Sequence, residues 1–448
     1  MKDQKTERKE KKRYKVGLPI LNLHAAGIDI GDAKHDIAIC NKKGEIITRE
    51  YVSFTDDLES LVDWLKEEEI TSVAMESTGV YWLCLYILLE EAGIEPYLVN
   101  ARHVKNVTGR KKDDTDAIWI QKLHSCGLLQ NSFQPDIDIR VLRTYVRQRK
   151  NLVAISSDSV RRMQKSLELM NIKLHVVISD ILGKTGMAMV NAIIAGERKP
   201  ENLLEFKDGR IKASDEEIKK SLKGIWKEEY LFMLEQAHKE YMFYQTQIGE
   251  CDIKIENTLK EIAAKKNDGE IFSFKKKSRN RKNELKFNAR PLLNKVVGVD
   301  LCEVDGISEI SAVEIISEIG TDMTKWINAK HFSAWLNLTP NTKITGGKII
   351  SSKMQKKKNR AGQTLRMSCC SLSKSKAPIG DYARKMKSRV GKKGGVVATA
   401  HKLSRIIYTM IKEQKKFDRN LILTEQDKWK EQKIKYLENK LEELKKAS

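Results

Sequence analysis

Ala26-Gly27-Ile28-Asp29-Ile30-Gly31-Asp32-Ala33-Lys34-His35-Asp36-Ile37-Ala38-Ile39-Cys40 reads as a buried strand carrying one acid, Asp29, then a glycine-bearing turn, then a second strand of alternating pattern from Asp36 to Cys40. A carboxylate among apolar strand residues is costly to desolvate unless a cation meets it. A divalent metal suits the position, and it takes several oxygen ligands. Fold and chemistry therefore turn on whether further acids arrive at spacings that complete such a site.

Two places supply them. Ile70 to Glu76 has the pattern of another short buried strand, ending on a carboxylate just before a helix that begins near Val80. Lys111-Lys112-Asp113-Asp114-Thr115-Asp116-Ala117 then opens a helical run from Ile118 to Leu129, with Asp113 and Asp116 spaced to share one face of a first turn. Acids in a first helical turn also answer the helix dipole, so on its own this cluster reads as N-terminal capping. Beside Asp29 and Glu76 it reads as the remainder of a metal site.

The chain has 448 residues, enough for two or three domains, and a formal charge of +22 from 83 Lys and Arg against 61 Asp and Glu. Such an excess points to a polyanion, with nucleic acid first. No apolar run approaches membrane-spanning length and the N-terminus has no signal-like apolar core, so no membrane partner is expected. The seven cysteines form no Cys-x-x-Cys pair, which argues against a zinc site or disulfide framework and fits a reducing cytoplasm.

Residues 1–20 form a basic tail expected to be disordered, with eight basic and three acidic side chains between Met1 and Lys15. Over 21–135 the expected order is strand Ala25–Ile30, strand Asp36–Cys40, strand Ile46–Phe54, a helix from a Thr55 cap to Lys66, strand Thr71–Glu76, helix Val80–Ala92, strand Pro96–Val99 and two further helices. Three antiparallel strands followed by alternating helices and strands is the order of a ribonuclease-H-like α/β domain. A similar Gly-Ile-Asp-Ile-Gly strand opens the actin-like ATPases, but a second glycine-rich phosphate loop is missing.

Residues 136–274 read as a helical region. A long helix from Ile139 to Met170 repeats arginines, of which Arg143 and Arg147 are candidates for phosphate contact beside the plain reading of a solvated face. Leu234, Ala237, Tyr241, Tyr244, Ile248, Cys251, Ile255, Thr258 and Ile262 recur by threes and fours, a heptad seam. The pattern favours a coiled coil joining copies, with an intramolecular hairpin against the earlier helix as the alternative. Asn171 to Leu222 carries no legible role. Residues 275–291 form a basic linker in which Lys275, Lys276, Lys277, Arg279 and Arg281 are candidates for nucleic-acid contact.

Residues 292–420 form a second, mainly helical domain. Gly306-Ile307-Ser308 suggests a helix-hairpin-helix-like turn. Asn341 to Arg366 holds eight basic residues and no acid, among them Lys343, Lys348, Lys353 and Arg360. Within that strip Thr345-Gly346-Gly347 is either an ordinary turn or the seat of a hydroxyl nucleophile. Residues 421–448 end the chain in an amphipathic helix.

Taken in order, Asp29, Met75-Glu76-Ser77-Thr78-Gly79 and Lys111 to Ala117 resemble the acidic tetrad of the DEDD insertion-sequence transposases, the IS110 group. Leu338-Thr339-Pro340, Thr345-Gly346-Gly347, Asn359-Arg360 and the basic helix Ala398 to Leu403 resemble that group's C-terminal domain. The likeness spans about residues 22–418. It implies a RuvC-like domain in which Asp29, Glu76, Asp113 and Asp116 bind Mg²⁺ or Mn²⁺, a coiled-coil connector, and a domain whose serine attacks DNA. It further implies DNA at element ends and target as partner and a structured guide RNA, in a bacterial or archaeal cytoplasm beside the nucleoid. A dimer or tetramer is expected from the heptad seam and from the need to act on two duplexes. Where the family has that serine, this chain has Thr345, with Ser351 and Ser352 as nearby hydroxyls. Two other readings stay open: a metal-dependent endonuclease selective for DNA junctions, and a decayed transposase that only binds.

Overall fold

The computed structural model describes residues 19–41, 44–100, 104, 115–266, 282–355, 358–419, 431 and 433–443. They fall into two compact units that divide between Gln134 and Pro135. The first is a mixed α/β sheet unit and the second is mainly helical.

In the first unit, alternating apolar residues build a five-stranded sheet of order β3-β2-β1-β4-β5, with β1 Ala25–Ile30, β2 Lys34–Cys40, β3 Ile46–Val52, β4 Ser72–Glu76 and β5 Glu95–Val99. β1, β2 and β3 run antiparallel as a meander, while β4 and β5 run parallel to β1. One face is dry. Ile28, Ile30, Ile37, Ile39, Val73 and Met75 pack there against α1 (Thr55–Glu67) and α2 (Trp82–Glu91) through Leu58, Leu61, Leu65, Leu85 and Leu89. α3 (Asp116–Ser125) packs on the other face, where Trp119, Ile120 and Leu123 meet Ala74 and Val99. Strand order and helix positions follow the expected pattern, with local differences. Phe54 occupies the N-cap of α1 without a side-chain cap bond, so Thr55 is its first helical residue rather than its cap. The second helix expected after β5 falls largely outside the described residues.

In the second unit, the long helix α4 (Ile137–Leu169) pairs with α7 (Glu228–Ala264) as an antiparallel hairpin. Cross-links fix its register: Asp138 with Lys265, Arg149 with Asp252, Ser156 with Gln245, and Arg162 with Glu240. The heptad seam of α7 is therefore spent inside one chain. Leu234, Ala237, Ile248, Ile255, Thr258 and Ile262 are buried, and the intramolecular hairpin that the sequence left as the alternative is formed. The segment without a legible role folds as a helical cap on the hairpin, with α5 (Lys184–Ile194) and α6 (Asp215–Leu222) closing a core of Met163, Leu167, Met170, Met189, Ile193, Ile218 and Leu222.

Beyond the hairpin, α8 (Ala289–Val297), α9 (Glu309–Ile319), α10 (Ala329–Trp335), α11 (Arg360–Cys370) and α12 (Pro378–Glu413, broken at Gly391) form the rest of the unit. The Gly306-Ile307-Ser308 turn leads directly into α9, where the Ser308 hydroxyl accepts the Ser311 amide. Between α10 and α11 stands a small ribbon, β6 (Lys343–Thr345) and β7 (Lys348–Ser351). Residues 433–443 are helical, with Ile434, Tyr436, Leu437 and Leu441 exposed. No helix among the described residues is long and apolar enough to cross a membrane.

The Arg149–Asp252 pair is the hinge of the hairpin's energetics. Its side chains are 4% and 2% exposed, Nε to Oδ1 is 2.6 Å, and the guanidinium also donates to the carbonyls of Asn283 and Glu284. Breaking one partner of such a pair strands a charge, whereas replacing both removes the desolvation cost as well. Arg149→Met is expected to destabilise the protein by about 3–5 kcal/mol in urea denaturation, and Arg149→Met/Asp252→Leu to recover most of that loss.

Candidate active site and nucleic-acid surface

The acids at the centre of the sequence reading stand on the α3 face of the sheet. Side chains alternate along a strand, so Asp29 shares the face of Gly27, and Glu76 that of Ala74. Gly27 and Ala74 are register partners on parallel strands, and the next register pair is Ile28 with Met75. One step further, Asp29 and Glu76 leave adjacent strands side by side. The row continues across the antiparallel strands, with Asp36 opposite Asp29 and Glu50 opposite Asp36. Asp36 and Glu50 were missed in the sequence because their register depends on the turn that joins β1 to β2. Glu50 is ion-paired with Lys34.

α3 is held over this face by contacts that fix its direction. A Cβ on Gly27 would lie 2.1 Å from the Gln121 amide nitrogen and 2.5 Å from the Ala117 carbonyl, so helix backbone rests directly on β1. Gln121 donates to the Ala25 carbonyl, and His124 Nε2 lies 2.8 Å from the Ser72 hydroxyl. The C-terminal end of α3 thus sits over the starts of β1 and β4, and its N-terminus points toward the ends that carry Asp29 and Glu76. Thr115 caps it by accepting the Ile118 amide, leaving Asp116 exposed in the first turn, where the helix dipole favours an anion.

Asp113 lies outside the described residues. Among the described residues no three His, Cys, Asp or Glu side chains form a group that could hold a metal ion. Asp29, Glu76 and Asp116 are brought to one end of one face without closing into a three-ligand group among the described residues.

The basic candidates separate. Arg143 and Arg147, read as possible phosphate contacts, are engaged inside the second unit. Arg143 donates to the carbonyls of Ser317 and Glu318 at the C-terminus of α9, and burial lowers its guanidinium to about 10. Arg147 binds the Glu318 carboxylate with two bonds of 2.8 and 2.7 Å. Lys275, Lys276, Lys277, Arg279 and Arg281 lie outside the described residues. Lys343, Lys348, Lys353 and Arg360 are exposed.

Thr345 is exposed at the tip of the β6–β7 ribbon, where Gly346 and Gly347 have φ of 54° and 75°. Two consecutive left-handed residues make the two-residue turn of a tight hairpin, so Thr345 and Lys348 pair across it with side chains on one face. Ser351 accepts the Lys353 amide below the tip. A cavity of about 420 Å³, not foreseen from the sequence, lies along α12 and is lined by Lys402, Arg405, Ile406, Met410 and Phe417.

A family model described as a DEDD transposase of the IS110 type matches residues 26–172, and one described as Transposase IS116/IS110/IS902 family matches residues 300–379. The chain belongs to the IS110 family of transposases. The first match takes in the acid row, α3 and α4; the second takes in α9, α10, the ribbon and α11. Comparison with curated proteins returns no significant match. The transposase acts on DNA, and its excess positive charge suits that partner.

Two outcomes follow from the seating of α3. Gly27→Ala is expected to lower stability by about 1–3 kcal/mol in thermal unfolding and to reduce metal-dependent DNA cleavage while DNA affinity holds, because the helix must leave the strand. His124 is pushed down from 6.5 to about 4 by burial. The unfolded chain then binds the proton first, so stability is full above about pH 6.5 and falls toward pH 4, by about 3 kcal/mol. In His124→Gln, hydrogen exchange of α3, corrected for intrinsic rates, should lose that acid dependence.

Proposed function

We propose that this transposase cuts and rejoins DNA at the ends of a mobile element and at its target, through a ribonuclease-H-like (RuvC-like) acid site and the hydroxyl of Thr345. The observation that carries the reading is the placement of Asp29 and Glu76 on adjacent strands in register, on the face to which the N-terminus of α3 brings Asp116. The strand order, with a three-stranded meander followed by two parallel strands, supports the same fold.

The donor set is all carboxylate oxygen, which suits Mg²⁺ or Mn²⁺ and not a soft metal. Asp29, Glu76, Asp113 and Asp116 would hold the ion. When bound, it supplies positive charge at the oxygens of the phosphate under attack. Thr345 provides the nucleophile: its Oγ1 forms a bond to phosphorus, the bond from phosphorus to a sugar oxygen breaks, the threonine proton passes to solvent and the released sugar oxygen gains one. One phosphodiester replaces another, so the reverse attack by a new sugar hydroxyl rejoins strands without an external energy source. Lys348, on the face of Thr345, offers a cation to the same phosphate.

A structured guide RNA and a dimer or tetramer belong to the same proposal. The charge of +22 suits RNA and DNA together without telling them apart, and a guide would carry sequence specificity by base pairing. A hydrolytic junction endonuclease is the second reading, favoured by the extra methyl of threonine, which restricts χ1 at the attacking hydroxyl.

With the full chain, its co-purifying RNA, Mg²⁺ and labelled DNA from the flanks of its gene, a denaturing gel should show a protein-sized labelled band. Thr345→Ala should lack it, and Thr345→Ser should keep it. Cleaved fragments without an adduct, made equally by Thr345→Ala, would establish the hydrolytic reading in place of the recombinase.

A further inference from the structure

The ribbon has two unlike faces. Cross-strand partners share a face, so Thr345 and Lys348 lie on one, and Ile344 and Ile349 pair on the other. Ile350 is the extra residue of a bulge between the Ile344–Ile349 and Lys343–Ser351 pairs, and a bulge sharpens the twist of a ribbon. These isoleucines are not core residues. Ile344, Ile349 and Ile350 are 61%, 66% and 67% exposed, although solvent exposure of three large β-branched side chains on one short hairpin is unfavourable.

At the base of the ribbon the Asn341 amide donates to the Lys353 carbonyl and the Asn337 side chain donates to the Gln355 carbonyl. Its surroundings select the partner. The strip from Asn341 to Arg366 carries eight basic residues and no acid. An apolar protein surface gains nothing from such a rim. A duplex does, because phosphates line both edges of a groove whose sugar walls, and whose base faces once a step is opened, are apolar.

We propose that Ile344 and Ile349 form a wedge that enters the minor groove of duplex DNA and partly unstacks one base step, while Lys343, Lys348 and Lys353 hold the flanking phosphates. The cost of unstacking a step with an apolar wedge is offset by the added backbone contacts, and flexible pyrimidine–purine steps are the easiest to open. This inference rests on DNA as the partner and not on Thr345 as the nucleophile.

The test uses the full-length protein with its co-purifying nucleic acid and a duplex of about 40 base pairs from the flanks of its gene, labelled with 2-aminopurine at successive TA and CA steps. At saturating protein, fluorescence should rise several-fold at one step. Ile344→Ser/Ile349→Ser should abolish the rise with affinity held within about three-fold, and Ile344→Leu/Ile349→Leu should restore it, whereas Lys343→Ala/Lys348→Ala should weaken binding and its salt dependence. Thr345→Ala should leave the rise intact, which separates this inference from the nucleophile reading. The proposal is overturned by an unchanged rise in the double serine variant, by no rise at any step in the saturated wild type, or by a change of oligomeric mass in the double serine variant by light scattering, which would make this face a protein interface. The ribbon is outside the core, so circular dichroism of the variants should match wild type.

Discussion

The sheet unit of this transposase depends on one close approach, that of α3 backbone to β1 at Gly27. A helix carried on ordinary side chains rides about 10 Å above a sheet. Here the absent Cβ lets Ala117 and Gln121 touch the strand itself, which brings the first turn of α3 down toward the level of the acid row. The buried Gln121 and His124 bonds then lock the helix lengthwise, so the position of Asp116 relative to Asp29 and Glu76 is set by packing and not by the carboxylates. That division matters because acids cannot organise their own site; they repel, and only a scaffold stabilised elsewhere can hold them for a cation.

In the second unit the same economy governs the basic residues. Arg143, Arg147, Arg149 and Lys150 recur on α4, yet each meets an internal partner: α9 carbonyls, Glu318, Asp252 and Glu314. Arginine suits these places because its planar fork satisfies two acceptors at once and stays charged when buried. Each of these ion pairs uses one cation and one acid, so the net charge of +22 is unchanged, but these particular residues are not free for a phosphate. Among the described residues, exposed bases stand on the ribbon, at the start of α11 and along the first half of α12, where Arg389, Lys392 and Lys393 are exposed.

Sequence pattern made the first unit legible because each strand shows period-two alternation and each turn is marked by glycine or by charged residues. The strand ends that position Asp29 and Glu76 could be placed to within a residue or two. The helical unit was less legible for a physical reason. A seam of Leu234, Ala237, Ile248 and Ile255 looks the same whether its partner is another copy or an earlier helix of the same chain, since knobs and holes do not record chain identity. The informative residue was Asp252, a buried acid on the seam that demands a specific cation, and Arg149 was the match. The cap between the helices was illegible because short helices with mixed polarity show too few turns to reveal a period. Asp36 escaped because cross-strand neighbours become visible only once a register is fixed.

Two glycine requirements of opposite kind frame the chemistry. Gly27 is needed for space, and its backbone is ordinary for a strand. Gly346 and Gly347 have open space around them but need left-handed φ, so a side chain there is opposed by backbone strain alone. The turn they make fixes how Thr345 and Lys348 face each other whatever the partner. It also bears on the departure from serine. A strand position beside a tight turn favours a β-branched residue, and its exposure means the extra methyl displaces no neighbour. The cost of threonine over serine is confined to the rotamers available to the hydroxyl. Under the proposed reading, substitution at this position would change the geometry of attack while leaving the ribbon that carries the hydroxyl intact.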